Sequence, residues 1–183
     1  MTEIPDNQKQ YKHLIKVNSF KKINGKAIPL WKHDKILSEL SEKELKEVTE
    51  RTIYPNEIVL DNDNENETMN IIEKLKKDNL NFLLYFHHKK QISKNHIHLF
   101  FEDLPKFNQE KRHKIRKIFI EYYKCDLQKF SENMKITMEG KKHRNTGIIK
   151  KLYPLEGIDY SHKGLNKRLP DWVFYKYEQQ EYE

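Results

Sequence analysis

Cysteine is almost missing from this chain. Cys125 is the only one in 183 residues, which excludes an internal disulfide and any zinc site built mainly from cysteines. No segment approaches the roughly 18 consecutive apolar residues of a membrane-spanning helix. Met1 to Gln10 is polar and lacks the apolar stretch of a secretory signal. Glycine and proline are sparse, at five and six residues, and no low-complexity linker or internal repeat is visible. These absences predict a soluble, cytoplasmic protein with no membrane partner.

What is present is charge and aromatic bulk. Hydrophobic residues make up 36% of the chain, yet ten Tyr, nine Phe and two Trp give enough large side chains for a modest core. The length fits one domain with small additions. The net charge is +7 and the pI near 9.2. That balance suits a polyanionic partner, nucleic acid or nucleotide, although a lysine-rich solvated surface gives the same numbers.

Hydrophobic periodicity predicts an α+β fold. Residues 1 to 50 read as an N-terminal extension with a short strand near Leu14, Ile15 and Val17. A helix in two pieces is expected over residues 34 to 50, with Ser41 and Glu44 as a capping box. A core over residues 51 to 155 begins with a strand from Glu57 to Asp61, introduced by Pro55 and Asn56. An Asn64-capped helix follows to about Asp78, with Met69, Ile72 and Leu75 on its apolar stripe. A strand over Asn81 to His87, a basic loop from His88 to Asn95 and a strand from Asn95 to Phe101 complete a split βαβ beginning. Residues 108 to 124 form an amphipathic helix, with Ile115, Ile118, Phe119 and Tyr122 on one side and Lys111, Arg112, Lys114 and Lys117 on the other. Lys135 to Glu139 is the fourth strand, and Gly140 to Gly147 turns it into a hairpin with Ile148 to Leu155. Residues 156 to 183 are a packing segment carrying Trp172, Phe174 and Tyr175.

Side-chain alternation then groups the chemistry. Asp61 and Asp63 share a face with Glu57 and Val59. His96, His98 and Phe100 share a face opposite Ile97, Leu99 and Phe101. Lys135, Thr137 and Glu139 share a face opposite Met134, Ile136 and Met138. Strands laid side by side would merge these polar faces into one wet surface. Clustered carboxylates there repel one another unless a cation lies between them. Asp61, Asp63 and Glu139 are the candidate ligands for Mg²⁺ or Mn²⁺. Two such ions can activate an attacking hydroxyl and stabilise leaving pyrophosphate. His96 and His98 could meet a metal or a phosphate, or shuttle a proton. Lys141, Lys142, His143 and Arg144 could grip a triphosphate, as could the basic loop with Ser93. Taken singly, each signal has a bland counterpart: an Asn/Asp-rich turn, half-exposed histidines, a basic hairpin tip.

In their order, these segments resemble the catalytic core of the archaeo-eukaryotic primase superfamily over about residues 50 to 155. IVLDND (Ile58 to Asp63) matches that family's hydrophobic strand ending in Asp-x-Asp. SKNHIHLFF (Ser93 to Phe101) matches its Ser-then-His segment, with His98 best placed as the nucleotide-binding histidine and His96 as the alternative. ITMEG (Ile136 to Gly140) matches the third motif through Glu139, where Asp is the more usual acid, and HRNTG resembles the segment that follows. The glycine-rich loop usual between Ser and His is missing, as is the cysteine-rich zinc element of many primases. No GxxxxGK[ST] segment is present, so helicase activity is not expected of this chain.

The resemblance implies an RRM-like palm, an antiparallel sheet with helices on one face and the active site on the other. It implies two divalent ions, Mg²⁺ or Mn²⁺, held by Asp61, Asp63 and Glu139. The implied activity is template-directed nucleotidyl transfer, primase or primase-polymerase, on single-stranded or primed DNA with nucleoside triphosphates. Help with the template from a large primase subunit or a helicase would fit so small a core. Two rivals share the architecture. An HUH-type DNA endonuclease would use the His-x-His segment and a tyrosine nucleophile, Tyr122 or Tyr123. A non-catalytic RRM-like module would stack bases on exposed aromatics such as Phe100 and Tyr85.

Overall fold

The computed structural model describes residues 4–89, 92–127, 130–153, 157 and 159–181, with the side chains of 87–89, 92–94 and 181 left aside. In chain order the strands are β1 (Lys16–Asn18), β2 (Phe20–Ile23), β3 (Lys26–Pro29), β4 (Lys35–Ile36), β5 (Glu50–Thr52), β6 (Glu57–Asn62), β7 (Leu83–Lys89), β8 (Ile92–Phe101), β9 (Lys135–Thr137), β10 (Lys151–Leu152) and β11 (Leu165–Asn166). The α-helices are α1 (Glu42–Glu47), α2 (Glu65–Lys77), α3 (Gln109–Tyr122) and α4 (Asp171–Glu181). The fold is α+β, built mainly on antiparallel pairing. Among the described residues, no helix is long and apolar enough to cross a membrane.

Two compact units emerge, each drawn from separated stretches of chain. The first combines Met1–Tyr54 with Asn133–Lys151, and the second combines Pro55–Glu132 with Leu152–Glu183. They cut across the serial arrangement expected from the sequence.

The first unit carries an antiparallel sheet in the order β4-β1-β5-β9. The strand expected around Val17 is present as β1. Residues 34 to 50, expected to be helical throughout, are not. A 3-10 turn over Leu37–Glu39 leads to α1, which ends at Glu47, and Glu50 already belongs to β5. The Ser41 capping box is complete: its hydroxyl accepts from the Glu44 amide at 3.1 Å and the Glu44 carboxylate accepts from the Ser41 amide at 3.0 Å. A hairpin, β2–β3, went unread in the sequence although Asn24-Gly25 signals it. Both residues have positive φ, 50° and 79°, the requirement of a tight two-residue turn.

Strand β9 also departs from expectation. It joins β5, pairing Glu50 with Thr137 and Arg51 with Ile136, rather than extending the sheet that holds β6 and β8. The segment Glu50–Thr52 had been read as helix end and connection. Once it is a strand, its edge supplies the pairing that β9 uses. The hairpin after β9 does form, through the Lys142–Ile149 bridge and the Gly140 amide donating to the Lys150 carbonyl at 2.9 Å.

The second unit follows the predicted order β6-α2-β7-β8-α3. Strand β8 pairs antiparallel with β6 on one side and β7 on the other, and its last residues pair in parallel with β11. The expected loop from His88 to Asn95 is mostly strand, since β7 runs to Lys89 and β8 starts at Ile92. Ile58, Leu60, Leu84, Ile97, Leu99 and Phe101 point to one side, where they bury against Ile71, Ile72 and Leu75 of α2 and Ile115 and Phe119 of α3. Burial on this scale is the main stabilising contribution, at about 25 cal/mol per Å² of apolar surface. Met69 is 38% exposed, so the buried stripe of α2 runs instead through Thr68, Ile71, Ile72 and Leu75. Trp172 of α4 stacks on Tyr122 at 3.8 Å and meets Phe119 at 5.1 Å, as expected of the C-terminal segment, whereas Tyr175 is 67% exposed. Gly164, at φ 73°, lies so close to β8 that a Cβ would stand 3.2 Å from the His98 carbonyl oxygen.

Candidate functional site

The register of the second unit's sheet determines which polar side chains meet. On the face away from α2 and α3, Asp61 lies opposite His96, and Val59 opposite His98. Across β8, Tyr85 lies opposite His96 and Leu83 opposite His98. The predicted common facing of Glu57, Asp61, His96 and His98 therefore holds. The predicted wetness does not: Asp61 keeps only 8% of its surface exposed, His96 7%, and Glu57 and His98 none. Asp61 is thus a buried acid at a strand end, and only Asp63, beyond the strand, is exposed.

Asp61, Asp63 and Asp126 each offer a carboxylate oxygen, and these oxygens lie within 4.8 Å of one another. Asp126 is brought there by the turn after α3, where its amide donates to the Asp61 carbonyl oxygen at 3.0 Å. Nothing in the sequence near Asp126 flagged it, because CDL carries no strand pattern. The nearest available signal was an acid just beyond the long amphipathic helix. Desolvation first, then the charges of Asp61, Asp63 and Glu67, push the Asp126 carboxyl above its ordinary value. The same acids act on Cys125, whose thiol is raised to about 12, chiefly by burial. Asn62 and Asn64 organise the turn beneath: the Asn62 side chain accepts from the Asn64 amide at 2.8 Å, and Asn64 caps α2 by accepting from the Glu67 amide. Three hard oxygen donors of this spacing suit Mg²⁺ or Mn²⁺ rather than a softer metal. His96 stands beside them, its Nε2 3.5 Å from Asp61 Oδ1.

His98 is held differently. Its Nδ1 lies 2.6 Å from Glu57 Oε2. Tyr85 meets the ring edge-on at 5.2 Å, and the His96 ring is 6.2 Å away. Arg116, fully buried on α3, fixes the start of β6. It donates to the carbonyl oxygens of Glu57 at 2.8 Å and Pro55 at 3.3 Å and pairs with Glu132 at 3.0 Å. Its position on the buried side of α3 went unread, since the helix's basic residues all looked solvated.

The remaining predicted residues belong to the first unit. Glu139 follows β9 and is gripped by two buried cations. Arg51 donates to both of its carboxylate oxygens, at 2.6 and 3.2 Å, and Lys150 lies 3.4 Å away while donating to the Thr137 carbonyl at 2.9 Å. Lys141 donates to the Lys46 carbonyl at 2.8 Å, at the end of α1. Arg144 forms a fork on Glu50, both distances 2.8 Å, and sits 4.1 Å over the Phe20 ring. The His143 ring accepts from the amides of Asn145 and Thr146, shaping the turn. Lys142 is exposed. The Ser93 side chain and residues Lys90 and Gln91 lie outside the described residues, as do the side chains of Lys89 and Lys94.

The tyrosines proposed for an endonuclease lie in the helical layer. Tyr122 is stacked on Trp172. Tyr123 is buried, donates to Asp78 at 2.7 Å, and is pushed well above the ordinary phenol range by that burial and by Asp78. Phe100, the candidate stacking aromatic, is buried beneath Gly164.

Comparison with family models, curated proteins and solved structures returned no match to this chain.

Proposed function

We propose that this protein is a metal-dependent nucleotidyltransferase that extends a nucleic-acid strand along a DNA template from nucleoside triphosphates, as primase or primase-polymerase. The observation that carries the reading is the convergence of Asp61, Asp63 and Asp126 at the end of β6, with His96 beside Asp61. Three carboxylates so close repel one another, and a divalent cation removes that cost. The primase-like order of motifs in the sequence adds to it. Asp61, Asp63 and Asp126 would hold Mg²⁺ or Mn²⁺, the further oxygen donors coming from the triphosphate. The metal supplies charge neutralisation at the attacking hydroxyl and the leaving pyrophosphate. The chain's own residues position it: β6 aims Asp61, the capped turn Asn62–Asn64 aims Asp63, and the Asp126 amide on Asp61 closes the cluster. His98 would meet the triphosphate. Glu139, held by Arg51 and Lys150, acts as an ion-pair partner in the first unit.

The test is extension of a labelled primer–template with Mg²⁺ or Mn²⁺, run with each nucleotide type and with the primer omitted. Metal-dependent incorporation that disappears in Asp61→Asn and Asp63→Asn supports the reading. Incorporation unchanged in both variants, or none in the wild type, overturns it. A covalent protein–DNA adduct in its place would point to the endonuclease chemistry.

A further inference from the structure

We propose that Glu57 is the positioning residue of His98, fixing the tautomer and aim of the imidazole before any nucleotide arrives. The proposal rests on the nucleotidyltransferase reading in assigning His98 to the triphosphate, but its structural half stands on geometry alone. Glu57 and His98 are not directly opposed across the β6–β8 ladder. Glu57 faces Phe100, and Val59 faces His98. The pair is diagonal, within reach only of longer side chains, and both extend to bring Nδ1 and Oε2 to 2.6 Å.

An ionised carboxylate has no proton to give, so Nδ1 is the donor. That fixes Nε2 as the ring atom through which any ligand must be met. Both groups are wholly buried. A buried ionisable pair is seldom the most stabilising filling for such a site, since apolar side chains of equal volume commonly do as well or better. Orientation is what it offers in exchange. Histidines whose remaining nitrogen does chemistry are regularly held this way by a carboxylate on the other nitrogen. The surroundings deny the pair other arrangements. Arg116 ties the Glu57 backbone to α3, Tyr85 abuts the ring edge-on, and Gly164 closes on the His98 carbonyl.

Two readouts test this on the full chain. The first is ¹⁵N NMR of histidine-labelled protein without substrate. A His98 ring protonated at Nδ1 in the wild type, with that preference lost in Glu57→Gln, is the expected result. A wild-type ring protonated at Nε2 and bare at Nδ1 overturns the proposal. The second is steady-state nucleotide incorporation. Glu57→Gln should raise KM for the nucleoside triphosphate by about tenfold with kcat changed less than about threefold. Its effect should vanish in the His98→Ala background, where there is no ring to orient. Unchanged KM in Glu57→Gln, while Asp61→Asn abolishes synthesis, sinks the positioning role and leaves the metal reading intact. Absence of synthesis in the wild type sinks the nucleotide reading and, with it, the assignment of the pair to a triphosphate. If Glu57→Gln does not fold, Glu57→Asp takes its place. Its shorter reach should give the same loss of Nδ1 protonation, and retention of the wild-type ring signals would count against the proposal.

Discussion

The two units handle carboxylates in opposite ways. In the first, acids at the sheet are matched to cations: Glu50 to Arg144, and Glu139 to Arg51 and Lys150. In the second, Asp61, Asp63 and Asp126 are gathered against one another. Matched pairs of this kind hold a structure together, since removing one partner strands a desolvated charge. Gathered acids weaken a fold until a cation joins them. The comparison separates acids that serve stability from acids suited to a metal, although all of them look alike in the sequence.

The largest effect expected of breaking this contrast is on activity. Asp61→Asn should reduce metal-dependent incorporation by at least about a thousandfold, because a lost metal ligand removes several kcal/mol of transition-state stabilisation. Its urea midpoint should stay near the wild type's. Loss of folding in step with activity would mean that Asp61 is structural.

Glu139→Ala reverses the pattern. It leaves Arg51 and Lys150 buried without their shared carboxylate, which should lower unfolding stability by about 3 kcal/mol in urea titration. Normal stability with complete loss of synthesis would move Glu139 to the metal site that the primase resemblance implies.

Asp126 gives a smaller effect of definite sign. Its pKa is raised in the folded chain, so over the pH range just above the ordinary aspartate value the native state binds more protons than the unfolded one. Stability contributed by this group is complete below that range and falls as pH rises through the raised value. Without metal, Asp126→Asn should therefore melt slightly higher than the wild type at neutral pH. Mg²⁺ or Mn²⁺ should raise the wild-type melting temperature and not the variant's. A metal-free variant that melts lower, or one that keeps the full metal response, would count against the cluster.

Cys125 reports the same field most gently. With its thiol raised to about 12, alkylation at pH 8 should be much slower than for an exposed cysteine, because little thiolate is present. Asp126→Asn should quicken it modestly. Rapid wild-type labelling would contradict both the burial and the acidic surroundings.

Local patterns were legible where neighbours along the chain carry the information. The Ser41 and Asn64 caps, the apolar side of α3 and the alternation of β6 and β8 all depend on residues a few positions apart, and all are present. Signals that require a distant partner were not legible. Lys135–Thr137 reads as a strand but cannot show that Glu50–Thr52 will pair with it. Arg116 reads as one more basic residue of a helix until the carbonyls of Pro55 and Glu57 come under it. Asp126 has no pattern of its own.

By itself, the sequence determined the α+β class, the strand faces that carry Asp61, His96 and His98, and the absence of disulfide chemistry. Those follow from backbone periodicity and composition, which are properties of the chain at short range. Tertiary structure alone decided which charges became partners: Asp126 for Asp61, Glu57 for His98, Arg51 for Glu139. A carboxylate is a metal ligand, an orienting group or half of an ion pair according to what the fold brings within about 4 Å of it, since the strength of a charge interaction depends on separation and on the water excluded around it.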